Sequence, residues 1–427
     1  MTRRLTATAA KAPPANGSRR TEILDTAAAL FAASGPRVSL KEIADACGIL
    51  PGSLYHHFES KDAIVLELVQ RYQADIDDIA KRALAAVARS GRRDARSFIL
   101  GLATDIAACA VQHRGALLLT MYESPAGAWD DLVPSATGTP ATIEAAMVAA
   151  LGMGQRSGFI RPRIDLPMLS QRVCQSMLQV GVGVFHRSPG EEQTPAVKCR
   201  MLLDGLAAQS PADADLDRSP AHAAADGVIA TWQDLGPDAD ERAMMLRGVA
   251  RAEFGRRGYE ATTIRDIAAA AGVSTGSVYR LIGSKDQLLE SVMRSFAASV
   301  NAGWKTVLDS DSTAIEKLDG LMWVNINLLA RFGDEFRIQL AWLRQSPPNT
   351  TDIGASLSIS SRLRYLRALL GHGIREGELQ PPGGSAELRA QCLLELIWMS
   401  EQLVRAGPRT ALAFGRDTLL RGAASRR

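Results

Sequence analysis

The 427-residue chain lacks an apolar run of 18 residues and a signal-peptide core, so no membrane-spanning or secreted protein is expected. Charge of neither sign dominates. Lys and Arg number 49 against 46 acids, a net charge of +3, so any binding to a polyanion rests on where the charges sit. The five cysteines (47, 109, 174, 199, 392) are widely spaced with no C-x-x-C pair, the pattern of reduced core thiols in a cytosolic protein. Only six histidines occur and none forms H-E-x-x-H; a nucleophile elbow and a P-loop are missing too. An enzyme is therefore not expected, and no cofactor or metal is implied. At 46% hydrophobic and 22% charged, the chain is long enough for two or three domains.

Against these absences stands one dense stretch, C-G-I-L-P-G-S-L-Y-H-H-F-E-S-K, from Cys47 to Lys61. Leu40, Ile43 and Ala44 before it form a short apolar stripe, and Ser39 and Glu42 have capping-box spacing, so a helix begins at Ser39. Gly48 suits the left-handed end of that helix and Pro51 the first position of the next. This is helix, turn, helix, the arrangement that offers its second helix to a major groove. Ser60 can cap a third helix opening at Lys61, where the helix dipole disfavours a cation. A phosphate docked there would resolve the conflict, because backbone N–H groups, dipole and ammonium would converge on one anion.

Gly48, Gly52, Ser53, Leu54, Tyr55, His57, Phe58, Ser60, Lys61 and Asp62 resemble, in register, the helix-turn-helix of TetR-type transcriptional regulators. Ile23, Ala27, Leu30 and Phe31 supply the apolar face of a preceding helix. Leu50 departs from the pattern, standing where the family has a capping Ser, a loss of roughly 1 kcal/mol. The wording G-I-L-P-G-S-L-Y-H-H-F is similar to the branch controlling sterol and fatty-acid catabolism. The resemblance implies an all-α fold, double-stranded operator DNA as partner, and a small-molecule inducer bound in a helical body.

In order, residues 1–18 read as a disordered basic tail, 19–65 as a DNA-binding head, 66–209 as a helical regulatory body and 210–240 as an Ala/Asp/Pro-rich linker with a short helix near Val228 to Trp232. Head-like residues 241–290 and a second body, 291–427, follow. Leu246, Ala250 and Phe254 repeat Ile23, Ala27 and Phe31 at an offset of 223, and Gly272, Gly276, Ser277, Tyr279, Ser284, Lys285 and Asp286 repeat their counterparts at 224. The late stripe Leu169, Val173, Met177, Val180, Val184 returns at 219 as Leu388, Cys392, Leu396, Met399, Leu403. Two whole TetR-like units are thus fused in tandem. Gly181 and Gly183 would let another helix approach closely.

The copies differ. The second has Ser274 at the recognition-helix cap, but Leu281 and Ile282 where the first has His57 and Phe58; residues 241–286 hold eight Lys or Arg against five acids. The resemblance places Ser39, Tyr55, His57 and Lys61, with Thr263, Tyr279 and Lys285, on phosphates. It places Pro51, Gly52, Ser53 and His56, with Thr275, Gly276, Ser277 and Arg280, at the groove, where Arg280 is the candidate for a bidentate guanine contact. The implied inducer wall is Cys109, His113, Leu117, Met121, Tyr122 and Trp129 in the first body and Trp323, Asn327 and Trp342 in the second, with an acyl-CoA or other lipid-like inducer. The expected function is a ligand-responsive cytoplasmic repressor, with the halves paired as a pseudo-dimer on an asymmetric operator or the chain paired as a four-headed homodimer. The alternative is a ligand-sensing or protein-interaction scaffold in which one or both heads leave DNA alone.

Overall fold

The computed structural model describes residues 16–35, 38–89, 94–120, 139–183, 191–232, 241–259, 262–344 and 359–425. Among them there is no strand, only two isolated bridges, Ile160 with Ala424 and Ala207 with Leu379. The first unit runs α1 (Asn16–Ser34), α2 (Leu40–Ala46), α3 (Pro51–Tyr55), α4 (Lys61–Ala88), α5 (Ala95–Gln112), α6 (Arg114–Thr120), α7 (Ala141–Arg156), α8 (Leu166–Val182) and α9 (Thr194–Leu203). Then come α10 (Asp213–Asp217) and α11 (Pro220–Thr231). The second unit holds α12 (Glu241–Arg257), α13 (Ile264–Ala270), α14 (Thr275–Ile282), α15 (Lys285–Leu308), α16 (Ala314–Arg331), α17 (Gly333–Arg344), α18 (Ile359–Arg375), α19 (Ala386–Leu396), α20 (Glu401–Ala406) and α21 (Pro408–Gly415), the last continuing into a π turn over Arg416–Leu420. The basic tail up to residue 15 lies outside the described residues.

Apolar stripes build each body. In the first, α8 buries Leu169, Val173, Met177 and Val180 against α5 and α7; Val184 lies outside the described residues. Gly181 makes its close approach to α5 of its own unit: a Cβ there would run into the Ala110 backbone carbonyl. Of the two glycines, Gly183 is the one facing the other half, its would-be Cβ lying 2.6 Å from Glu395 Oε1. By length and apolarity α5 matches a membrane span, yet it carries Arg96 and Asp105 and packs on α4, α7, α8 and α9.

The stretch read as a linker is largely structured. Ser219 caps α11 by accepting from His222 N at 3.1 Å, and α11 buries Ala221, His222 and Ala225 against α15 and α16. Its small side chains let it lie close: a Cβ on Gly320 of α16 would meet the Ala221 carbonyl at 3.0 Å. The Ala-rich composition suggested flexibility because the residues that receive this face, Asp319, Gly320 and Trp323, lie about a hundred positions away.

The two bodies meet along a seam of paired backbone bonds. Leu206 N donates to Leu419 O (2.9 Å) and Ala423 N to Leu202 O (3.0 Å); Ala207 N to Leu420 O (2.9 Å) and Ala424 N to Leu203 O (2.7 Å). Ala208 N to Glu378 O (2.8 Å) is matched by Ser425 N to Phe159 O (2.7 Å), and Gln380 N to Leu206 O (2.9 Å) by Arg161 N to Ala423 O (3.0 Å). Every bond has a mate with the halves exchanged, the signature of an isologous contact. Gly205 and Gly422, both at positive φ (75° and 82°), sit backbone to backbone where the two segments of the seam cross, leaving no room for a side chain on either.

Candidate nucleic-acid interface

Each head is three helices around a small core. In the first, Ile23, Ala27 and Phe31 of α1, Ile43 and Ala44 of α2, and Leu54 and Phe58 are all at most 2% exposed. Ser39 caps α2 in a two-way box: its hydroxyl accepts from Glu42 N at 3.2 Å while its own N–H donates to Glu42 Oε2 at 2.7 Å. The Ser39 hydroxyl also donates to Glu42 Oε2 at 2.6 Å, and this bond, with that from the Ser39 N–H, holds the Glu42 carboxyl below its usual range. Gly48 turns at φ 65°, and Pro51 opens α3 with no side-chain cap because Leu50 stands there, 76% exposed.

With Leu54 turned inward, one face of α3 is left to solvent. Pro51, Gly52, Ser53, Tyr55 and His56 are exposed on it. His57 is half-buried, and its backbone carbonyl accepts from Arg20. Arg20 also stacks its guanidinium 4.0 Å from the Phe58 ring centroid and pairs with Glu67 at 2.6 Å. This arginine ties the turn after α3 to α1 and α4. Ser60 caps α4 by accepting from Ala63 N at 3.1 Å, placing Lys61 at the first helical position with its ammonium 5.8 Å from the Phe31 ring centroid. Burial against that surface lowers the Lys61 pKa from its ordinary value, with Asp62 and Glu42 opposing.

The second head repeats the plan with different chemistry. Thr263 and Asp266 form the box on α13, with Thr263 N donating to Asp266 Oδ2 at 2.8 Å. Gly272 turns at φ 66°, and Ser274 supplies the cap that Leu50 cannot, accepting from Ser277 N at 3.2 Å. Val278 takes the inward place of Leu54. Thr275, Gly276, Tyr279 and Arg280 are exposed and Ser277 half-buried. Gly283, at φ 90°, ends α14, and Ser284 with Gln287 boxes the start of α15. Lys285 opens that helix with its ammonium 4.2 Å from the Tyr259 ring centroid, while the Tyr259 hydroxyl donates to Asp286. Each head thus presents a short exposed helix, flanked by a capped helix on one side and, on the other, by a lysine at the opening of a long helix. That is the shape and charge that a major groove and its bordering phosphates require.

The inducer candidates are more scattered. Cys109 and Leu117 are buried and His113 Nε2 lies 2.7 Å from Asp75 Oδ2, whereas Met121, Tyr122 and Trp129 fall outside the described residues. In the second body Trp323 is engaged by α11: its indole N–H donates to Asp226 at 2.6 Å and its ring stacks on His222 at 5.7 Å. Asn327 donates to the Trp323 carbonyl at 2.9 Å; Trp342 lies in α17, its side chain outside the described residues. A cavity of about 570 Å³ opens instead at the seam, lined by Arg200, Asp204, Gln380 and Pro382 among others, and holds none of these candidates.

The family model for bacterial regulatory proteins of the tetR family matches residues 23–68 and again 246–292. The chain is 27% identical over 179 residues to the HTH-type transcriptional repressor KstR2 of Mycobacterium tuberculosis, covering 41% of this chain and 87% of that protein. To KstR2 of Rhodococcus jostii it is 50% identical over 70 residues, 15% of this chain and 34% of that one. Among solved structures, the ketosteroid transcriptional regulator KstR2 of Mycobacterium tuberculosis covers 45% of this chain and 98% of its own at 26% identity, with a TM-score of 0.37.

Proposed function

Because the chain belongs to the tetR family of bacterial regulatory proteins and carries that family's DNA-binding domain twice, we propose that this transcriptional regulator is a repressor whose two halves act as one pseudo-dimer. The observation that carries the reading is the exchanged set of backbone bonds across the seam, 2.7 to 3.0 Å long, which joins the halves as two subunits of a symmetric dimer would be joined. Such a chain presents two heads to successive turns of one duplex. Since Pro51 and His56 stand in one head where Thr275 and Arg280 stand in the other, its half-sites differ in sequence. Ser39, Tyr55, His57 and Lys61, with Thr263, Tyr279 and Lys285, hold the phosphates.

The effector is an acyl-CoA or another lipid-like molecule, bound in the first body. Support comes from the wording of the first head, Gly48 to Phe58, which is similar to regulators of sterol and fatty-acid catabolism, and from α11 already occupying Trp323 in the second body. A cytoplasmic location follows from action on DNA and from the free thiols. Light scattering of the protein bound to a short duplex from its own upstream region tests the reading. One chain per duplex is the expected result; two chains would replace the pseudo-dimer with a four-headed homodimer, and no complex at low salt would leave a scaffold that does not bind DNA.

A further inference from the structure

The seam is symmetric in its backbone and asymmetric in its side chains. Lys198 of α9, fully buried, donates to Ser176 O at 3.1 Å and pairs with Glu395 of α19 across the seam. Arg161 reaches across to Asp417, donating to its carbonyl at 2.6 Å, and buried Arg172 donates to Leu396 O. The backbone mates fix what stands at each position with the halves exchanged. An offset of 219 in the earlier part of the seam and 217 in the later part makes Glu395 the counterpart of Ser176, Gln391 of Arg172 and Gln380 of Arg161, with Gly415 answering Lys198 and Asp417 answering Arg200.

Five of these positions run one way, and one at the crossing, Asp204 answered by Arg421, runs the other. The first half brings Arg161, Arg172, Lys198 and Arg200 to the seam; at the equivalent places the second half brings Gln380, Gln391, Gly415 and Asp417, with Glu395 added. Two first halves pairing by the same geometry would set Arg161 against Arg200 and bury Lys198 twice with no carboxylate. Two second halves would set a half-buried Glu395 twice against only a glycine. Burying a charge without its partner is among the heavier penalties a protein interior imposes, and unlike partners excluded this way give specificity.

We propose that this charge asymmetry is a pairing code by which each half of the chain accepts the other half and rejects a second copy of itself, with Lys198 and Glu395 as its central contact. The inference rests on the pseudo-dimer reading above and adds what selects the partner. The code separates the regulator from its own copies, so that an asymmetric pair of heads is delivered to DNA in every molecule.

The experiment uses the full chain. Light scattering of the wild-type protein comes first: one chain per particle keeps the pseudo-dimer, whereas two chains remove it irrespective of the code. Urea unfolding then compares Lys198→Glu, Glu395→Lys and the double exchange. Each single variant puts like charges together and should shift the folded-to-unfolded ratio by a hundred-fold or more, or fail to fold; the double exchange should return most of that loss. Mixing the two single variants, unfolded together and refolded, should give a two-chain particle, because each one's first half now matches the other's second half. A wild-type particle of one chain, with a double exchange no better than the sum of the singles, overturns the code while leaving the pseudo-dimer standing.

Discussion

Replacing Lys61 and Lys285 by alanine, singly and together, weighs one head against the other. Each lysine opens a long helix just after a serine whose own hydroxyl makes the cap, Ser60 to Ala63 N and Ser284 to Gln287 N, both at 3.1 Å. Truncating the lysine therefore leaves the cap and the helix start in place, and alanine is a good helix former. What is lost is an ammonium resting beside an aromatic ring, 5.8 Å from the Phe31 centroid in one head and 4.2 Å from Tyr259 in the other. A contact between such a group and a phosphate contributes about 0.9 to the slope of log K against log salt. Each single variant should lower that slope by about 0.9 and the pair by about 1.8. A charge-assisted bond of roughly 1.5–3 kcal/mol corresponds to binding weaker by one to two powers of ten per lysine. Fluorescence anisotropy on a labelled duplex from the upstream region, titrated with salt, measures both quantities, and circular dichroism confirms an unchanged fold. If the Lys285→Ala slope equals the wild-type slope while Lys61→Ala falls, the second head stands off the DNA and the two-headed reading is refuted.

Three further perturbations probe the fold beneath the site. Leu50→Ser gives α3 the cap it lacks and Ser274→Ala removes the one on α14, so the first should raise stability by about 1 kcal/mol and the second lower it by about 1 kcal/mol, read from urea midpoints. Gly181→Ala drives a methyl into the Ala110 carbonyl and forces α8 from α5; a loss of about 1–3 kcal/mol is expected, and an unchanged midpoint would contradict the packing described. Burial pushes the thiols of Cys174, Cys199 and Cys392 up to about 12 and that of Cys109 to about 11. A raised pKa means stability fully present below the unfolded thiol value near 8.5 and lost as pH climbs above it, at about 1.4 kcal/mol per pH unit for each thiol. Unfolding followed from pH 8 to 11 should show that decline, and Cys199→Ala should flatten it; below pH 8, iodoacetamide should label Cys47, the thiol that is not fully buried.

The all-α fold, the two heads and their capping residues were legible in the sequence because each is a local matter. A helix start depends on residues three apart, as in Ser39 with Glu42 or Thr263 with Asp266, and an apolar face on residues three and four apart, as in Ile23, Ala27 and Phe31. The duplication was legible for a related reason: two copies of one pattern carry the same spacings. The role of Arg20 was not, since its partners His57 and Glu67 lie 37 and 47 positions away.

Tertiary structure decided what depends on distant partners. It made α11 a packed member of the second body, because the surface that covers its alanines comes from α15 and α16. It turned Gly181 toward its own unit's α5 and left Gly183 to the other half. It brought Lys198 to Glu395, nearly 200 residues apart, where only the crossing of the two seam segments at Gly205 and Gly422 defines which residues are equivalent. Periodicity along the chain determines which face of a helix is apolar; which other helix covers that face is a property of the whole fold.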